Sequence, residues 1–435
     1  MASKMKRIGV IGCGEVFNIA HLPGFVNLNE GSLIAFYDID RVQAERTKNR
    51  FELMLHNAQE EAEKRNDIDP AGPWDWASKQ ECMDRFAHNI KELTVYDSAE
   101  ELLANVDIVD IATPVKWHVP YALMALEHGV HAMTEKAMSR TWWEAKKVKA
   151  ATQKSGCFYQ LNDDNIFIPR NHWIKNIMES GAIGEIVSLW INRGFHGPQG
   201  RGWFWDPSVS GGGCWMDYGT HAVTTMWFLA GFDKVPKAVK SNRISTRHRH
   251  RPIESRLQVV DGVDDDAHVM LRFEDPKTGA WTTAVIEATW SWPELASRGD
   301  DVRGFIKIDG TEGILTYNED PDGNGFLDIT RYGFGTKRLP VPMITSEDES
   351  FEAEIKNFIK CVTDGVPSIL NEARGITIME ILGAGYLSEL SGRTAVSLED
   401  FRKYSDEIAS KFNPQDGEAI QLEIIKNLLK PYSKV

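Results

Sequence analysis

Asp217 and His221 stand four residues apart in the stretch Gly211-Gly212-Gly213-Cys214-Trp215-Met216-Asp217-Tyr218-Gly219-Thr220-His221. A helical pattern runs on through Met226-Trp227-Phe228-Leu229 to a stop at Gly231. On a helix, residues four apart share one face, a turn from each other. A carboxylate beside an imidazole orients the ring and favours its protonated form. Such a pair is an acid/base group adjustable near neutral pH, and three glycines leave the approach loop free to bend. Taken alone, the plainer reading is the better one: a glycine-rich turn, an acidic residue favoured by the helix dipole, and a packed histidine. The N-terminal third of the chain changes the balance.

There, Lys6 to Ile11 reads as a short buried strand, followed by Gly12-Cys13-Gly14 and a helix. A glycine-rich strand-to-helix turn brings backbone N–H groups to a pyrophosphate. The G-x-G-x-x-G pattern is incomplete, because Phe17 takes its third position. A second strand, Ser32 to Tyr37, ends at Asp38, 24 residues beyond Gly14. An acidic residue there accepts hydrogen bonds from a ribose diol and repels a 2′-phosphate, so NAD is preferred over NADP, with Arg41 nearby working against that preference. Asp38 also reads as a turn residue or helix cap. Further strands at 94–96, 106–112, 130–134 and 158–161 alternate with helices, one of them capped by Ser98 with Glu101. Alternation of this kind predicts a doubly wound parallel sheet, a Rossmann fold. Lys136, with Glu135, follows the 130–134 strand, at the edge where such sheets bind ligands. The plainer role for Lys136 is a surface lysine paired to Glu135.

Beyond a helix at 169–180, the strands lengthen and alternate in polarity, at 186–192, 267–273, 281–290, 304–308 and 313–317. Period-two alternation predicts a large, mostly antiparallel open sheet with one face covered by helices. The expected organisation is a dinucleotide-binding domain over 1–160, with an insertion at about 51–92, a substrate-binding and oligomerisation domain over 161–398, and a helical tail over 399–435. The insertion reads as cover for a site edge, a subunit contact or an inert surface addition.

The 435 residues are too many for one ordinary core, and a net charge of −14 argues against nucleic acid or an anionic membrane as partner. No apolar run has the length of a membrane span. The basic start, MASKMKR, leads into a glycine-broken strand and not a signal-peptide core. The five cysteines are odd in number and form no CxxC pair, which suits free thiols in a reducing cytoplasm and no structural zinc.

On these motifs the chain resembles the Gfo/Idh/MocA family of nicotinamide-dependent oxidoreductases. The matching residues are Gly9-Val-Ile-Gly-Cys-Gly14 with His21-Leu-Pro, Asp38, Ala112-Thr-Pro114 with His118, Glu135-Lys136, Gly184-Glu-Ile186, Gly211 to His221, and Gly392-Arg-Thr. They run in order over roughly residues 5 to 398. The resemblance implies cofactor contacts from Gly12, Gly14, Glu15, Val16, Asp38, Thr113, His118, Glu135 and Lys136. It implies that Lys136 touches both the nicotinamide ribose and the reacting hydroxyl. Asp217 and His221 correspond to the aspartate and histidine of the inositol dehydrogenase type, in which the histidine takes the hydroxyl proton; glucose–fructose oxidoreductase has a tyrosine at that position. The family also implies a homodimer or homotetramer paired through the open face of the second-domain sheet. This sequence departs from the family at Ala137, where a proline is usual, and at Asn162-Asp-Asp-Asn-Ile-Phe167, which lacks the arginine of an Asn-x-Arg-Phe segment. The 51–92 insertion has no counterpart in short members.

Taking hydride from a secondary alcohol needs a base for the hydroxyl proton and a positive charge beside the developing alkoxide. His221 supplies the base, Asp217 orients it, and Lys136 supplies the charge. With Lys136 in the first domain and the pair in the second, the expected site lies in the crevice between them. A sugar or cyclitol needs many hydrogen-bond partners and aromatic platforms. Candidate partners are Asn162, Asp164, Asn165, Arg193, His196, Arg201 and Asp206; candidate platforms are Trp203, Trp205 and Trp290. Each has a structural role open to it as well. The basic run 247–251 reads as a solvated loop before a phosphate contact, and Asp264-Asp265-Asp266 with His268 lacks the further ligands of a metal site, so no metal is expected. Three functions follow. The first is an NAD-dependent dehydrogenase acting on a ring hydroxyl of a sugar, glycoside or cyclitol. The second is a redox-neutral enzyme with bound, recycled NAD, passing through a 3-keto-glycoside to epimerisation or glycoside cleavage. The third is a non-catalytic NAD-binding sensor, against which the joint presence of Lys136, Asp217 and His221 argues.

Overall fold

A computed structural model describes residues 5–28, 30–64, 78–198, 201–248, 250–253, 256–259, 262–292, 305–319, 324–341 and 348–432. The chain divides into two units, each drawn from three stretches. The first comprises Met1–Glu135, Lys147–Asp164 and Ser346–Ala373, and the second Lys136–Lys146, Asn165–Thr345 and Arg374–Val435.

The first unit is built on β1 (Lys6–Ile11), β2 (Gly31–Tyr37), β3 (Thr94–Val95), β4 (Ile108–Ile111), β5 (His131–Thr134) and β6 (Tyr159–Leu161). Their order is β3-β2-β1-β4-β5-β6, every pair parallel, which is the Rossmann order. Ile8, Val10, Leu33 and Phe36 are buried, as expected for strands with helices on both sheet faces. The long Arg41–Lys64 helix turns Ala44, Phe51, Leu55 and Ala58 into the same core. Phe17, in place of a third glycine, is itself a fully buried core residue.

Two sequence boundaries move. Within the expected insertion, a Lys79–Glu92 helix starts at a Ser78/Glu81 capping box and buries Cys82 and Phe86 in the Rossmann core. This helix is core structure and not a surface addition; residues 65–77, Trp74 among them, lie outside the described residues. The Asp348–Asp364 helix, expected in the second domain, belongs to the first unit because Ile355, Phe358 and Ile359 complete that same core.

The second unit holds β7 (Ile186–Gly194), β8 (Val235–Ser245), a hairpin of β9 (His250–Ile253) and β10 (Arg256–Val259), β11 (Asp266–Glu274), β12 (Trp281–Thr289), β13 (Phe305–Gly310), β14 (Gly313–Glu319), β15 (Gly325–Arg331), β16 (Gly335–Pro340) and β17 (Val396–Ser397). Nine of them form one sheet in the order β16-β15-β14-β13-β7-β12-β11-β8-β17, antiparallel except between β7 and β12. The Cys214–Ala230 helix packs against β7, β11 and β12 and is buried along most of its length, which explains its apolar sequence. The tail helices, Leu398–Ala409 and Gly417–Leu428, fold with this unit. No helix among the described residues is long and apolar enough to cross a membrane.

Candidate active site

The glycine turn after β1 is shaped by close approach. Gly12 has φ of 96°, and a Cβ there would lie 2.7 Å from the Ala112 carbonyl oxygen. At Gly14 a Cβ would meet nothing within 4 Å, so that part of the turn is open. Asn18 Nδ2 and Gln43 Nε2 both donate to the Cys13 carbonyl, at 2.8 and 2.7 Å, and hold the turn; no motif marked either residue. Asp38 Oδ2 accepts the Cys13 N–H at 2.7 Å, which ties the end of β2 to the turn. Arg41 is engaged with Asp97 and, at 3.3 Å, with Glu45. Glu15 is exposed and Val16 half-buried beside Gly14. A groove of about 600 Å³ is lined by Gly14, Glu15, Gln43, Arg46, Thr47 and Arg50 among others. At the end of β4, the Thr113 hydroxyl is buried without a hydrogen-bond partner among the described residues, while the Thr113 carbonyl accepts from His118 Nε2 at 2.7 Å. An open backbone turn, an anchored strand-end carboxylate and an unpaired hydroxyl fit a dinucleotide.

Glu135 is fixed by a residue that the sequence reading used only as a motif letter. His21 is fully buried, with Nδ1 2.7 Å from Asp110 Oδ2 and Nε2 2.8 Å from Glu135 Oε1. Carboxylates only accept, so both ring nitrogens donate and the ring is an imidazolium. Burial alone would lower its pKa, but the charges and hydrogen bonds of Asp110 and Glu135 outweigh burial and hold it well above the ordinary imidazole value. A ring donating from both nitrogens has no lone pair to offer a cation. Glu354, from the Asp348–Asp364 helix, is also fully buried, and neither of its oxygens has a hydrogen-bond partner among the described residues. Burial, and then the charge of Glu135, push its carboxyl well above the usual range.

In the second unit, the glycines ahead of the site helix are there for packing and not for bending freedom. Gly211 has φ of 81° and lies against the Arg140 backbone, and a Cβ on Gly213 would sit 1.9 Å from the Asp264 carbonyl oxygen. The Asp264 carboxylate caps the helix from outside it. It accepts the N–H of Gly213 at 3.1 Å and of Trp215 at 2.7 Å, and the Tyr386 hydroxyl at 2.7 Å. Burial raises its pKa to about 6 against the pull of those hydrogen bonds.

Asp217 lies on the first turns of that helix, and Lys136 Nζ is ion-paired to its Oδ1. The side chains are only 15% and 10% exposed, so solvent screens the pair weakly. Trp290, fully buried, donates its indole N–H to Asp217 Oδ2 at 3.1 Å. The Lys136–Ala137 peptide is cis without the family's proline. His221 follows one turn later, and its Nδ1 lies 2.7 Å from Asn165 Nδ2. Asn165 Oδ1 in turn accepts from Arg193 Nη1. The expectation that Asp217 orients the imidazole is therefore corrected: its oxygens go to Lys136 and Trp290, and Asn165 holds Nδ1. Lys136, expected in the first domain, belongs with the second unit, as does its segment up to Lys146.

Other expected substrate contacts also have partners within the fold. Asn162 is fully buried and accepts from Gln160 Nε2 at 3.0 Å. Trp205 is buried, donates to the Pro198 carbonyl at 3.2 Å, and meets Trp290 edge-on at 5.0 Å, so neither indole is a free platform. Trp203 is half-buried and stacks on Phe204 at 3.8 Å. Asp164 accepts from the Ser350 hydroxyl at 3.2 Å. Asp206 caps the turn at Ser208. The acidic triplet is divided: Asp264 caps the helix, Asp265 accepts the N–H groups of Arg247 and His248, and Asp266 pairs with Arg243 and Arg247. Arg249 and the Arg251 side chain of the basic run lie outside the described residues.

Comparison with known proteins gives the class. Residues 75–163 match the oxidoreductase family with an NAD-binding Rossmann fold, and residues 172–316 match the GFO/IDH/MocA C-terminal domain. The chain belongs to the GFO/IDH/MocA family of oxidoreductases. It is similar to levoglucosan dehydrogenase of Pseudarthrobacter phenanthrenivorans, 26% identical over 297 residues that span 60% of this chain and 72% of that one. It is also similar to the scyllo-inositol 2-dehydrogenase (NADP(+)) IolW of Bacillus subtilis, 21% identical over 322 residues, 71% of this chain and 81% of that one. A solved structure of levoglucosan dehydrogenase with NADH and levoglucosan covers 91% of this chain and 99% of its own, with a TM-score of 0.69 at 20% identity, a likeness of fold.

Proposed function

We propose that this oxidoreductase is an NAD-dependent dehydrogenase acting on a ring secondary hydroxyl of a sugar, glycoside or cyclitol. The observation that carries this reading is the weakly screened Lys136–Asp217 pair on the helix that presents His221 one turn later. The levoglucosan and scyllo-inositol relatives support the substrate class. Bound NAD would supply the hydride acceptor. Gly12, Gly14, Glu15, Val16, Thr113, His118, Glu135 and Lys136 would hold it, and Asp38 would take the ribose hydroxyls. The engagement of Arg41 with two carboxylates supports NAD over NADP, although one relative uses NADP.

Lys136 sets a positive charge for the oxygen on which negative charge develops, and such preset charge lowers the barrier most where solvent is scarce. Asp217 is ion-paired to that ammonium and is itself held by Trp290. In the oxidising direction His221 takes the hydroxyl proton, and Nε2 does so in the ring form whose hydrogen sits on Nδ1. Asp164 and Trp203 are the substrate contacts we retain. A second copy of the chain is the proposed partner, giving a homodimer or homotetramer. Five buried cysteines, none of them in a disulfide, support a reducing, cytoplasmic setting.

The test is a single-turnover absorbance trace of NAD-loaded protein against free sugars, inositols and glycosides. Continued growth of the reduced-nicotinamide band with excess NAD is the expected result. A band that stops at one equivalent indicates a recycled cofactor, and no band despite confirmed NAD binding removes the dehydrogenase reading. His221→Ala is expected to slow turnover by about a hundredfold or more while leaving NAD affinity within about a factor of two. An equal fall in both would make His221 a structural residue.

A further inference from the structure

We infer that Arg193 and Asn165 are positioning residues that set which nitrogen of His221 carries its hydrogen. A guanidinium has only N–H donors, so the amide atom of Asn165 that meets Arg193 Nη1 must be the oxygen. The amide nitrogen is then the atom facing His221 Nδ1 at 2.7 Å, and it can only donate. Nδ1 therefore accepts, and the neutral ring carries its hydrogen on Nε2. The orientation of the amide, which distance alone does not fix, follows from the chemistry of its other neighbour.

Every member of this chain of contacts is itself held. Arg193 lies on β7, paired on both sides, by β12 and β13. The Asn165 carbonyl accepts from Asn171 Nδ2 at 2.7 Å, and Asn171 is fully buried. The His221 ring meets the edge of Tyr218 with centroids 6.0 Å apart, and Tyr218 is stacked on Phe195 at 4.7 Å. The Arg193 guanidinium also lies over the Tyr218 ring, 5.7 Å from its centroid.

The consequence concerns the chemistry of the proposed site and rests on that reading. With hydrogen on Nε2, the ring is a donor suited to holding a carbonyl oxygen. To take a proton from a hydroxyl, Nε2 must present a lone pair, so the ring hydrogen must sit on Nδ1. Asn165 accommodates that form only by turning its oxygen away from Arg193 and towards the ring. The Arg193–Asn165 contact thus opposes the base form of His221 and favours its donor form.

The test reads the tautomer directly and needs no substrate. Full-length protein labelled with 15N-histidine is examined at mildly alkaline pH, with His221→Asn identifying one resonance pair among the 12 histidines. In the unsubstituted protein, Nδ1 of His221 is expected to have the shift of an unprotonated nitrogen and Nε2 that of an N–H. Asn165→Asp is expected to invert the pattern, because a carboxylate at that place accepts from Nδ1–H. Arg193→Met frees the amide to turn and is expected to move both shifts towards intermediate values, which covers the case of an Asn165→Asp chain that does not fold. An N–H at Nδ1 in the unsubstituted protein, or an unmoved pattern in the folded variants, overturns the inference. Turnover by His221→Ala is scored separately: if it persists, the catalytic reading fails and the tautomer assignment stands on its own spectrum.

Discussion

Asp264 is the residue on which the site helix hangs, and its chemistry sets a pH dependence. Its carboxyl is raised from an unfolded value near 3.8 to about 6, mainly by burial. The folded chain therefore holds the Asp264 proton more tightly than the unfolded chain. The associated stability is present below pH 3.8 and is lost as pH rises to about 6. A shift of this size corresponds to roughly 3 kcal/mol. Asp264→Asn removes the titration, so the Tm of the variant relative to the parent is expected to rise with pH between about 4 and 6; a difference that does not change with pH would refute the assignment. His21 acts at higher pH. Its folded value lies well above 6.5, so its contribution is full below 6.5 and is lost as pH rises through the raised value. His21→Gln is expected to remove that alkaline loss in the same melting series.

At the scale of elements, the segment carrying Lys136 is tied to the C-terminal tail. Arg140 donates to both oxygens of Glu418 on the Gly417–Leu428 helix, at 3.0 and 2.7 Å, to the Ser208 carbonyl at 2.9 Å, and to Glu144 at 3.4 Å. Thr141 is bonded to buried Gln421 of the same helix, and Trp142 meets Phe401 of the Leu398–Ala409 helix at 5.9 Å. Arg140→Met removes a buried charge together with its bonds to Glu144, Glu418 and the Ser208 carbonyl, and is expected to cost about 3 kcal/mol or more in denaturant unfolding. Glu418 is half-exposed, and Glu418→Gln is expected to cost no more than about 1 kcal/mol. Equal costs for the two would show that the tail, and not the buried charge, dominates. The site helix is equally dependent on its surroundings: Gly213→Ala sets a methyl group against the Asp264 backbone and is expected to lower Tm and turnover together.

For the whole molecule, the nine-stranded sheet has one face under the site helix and another that exposes Trp190, Trp281 and Phe305 at 42%, 44% and 41%. Trp190 stands between Val285 and Lys307 in register, in a row of mixed apolar and charged side chains. If this face joins two copies, Trp190→Glu is expected to shift the mass in solution to that of one chain, and an unchanged mass would place the interface elsewhere. Much of the chain was legible before its structure because the signals are local. The run Lys6 to Ile11, the strand end at Asp38, the Trp142–Ser155 helix and the helix stop at Gly231 follow from periodicity, glycine placement and capping over a few residues. β8, β15 and β16 were not read, because their mixed polarity becomes strand only beside partners that supply the ladder. The sequence by itself determined the parallel sheet, the antiparallel sheet and the four-residue spacing of Asp217 and His221. Only the tertiary structure decided that Asp217 holds Lys136, that Asn165 and Arg193 hold His221, and that Asp264 caps their helix. Spacing along a helix fixes which side chains share a face, whereas hydrogen-bond partners are chosen by whatever donors and acceptors distant segments bring within 3 Å or so.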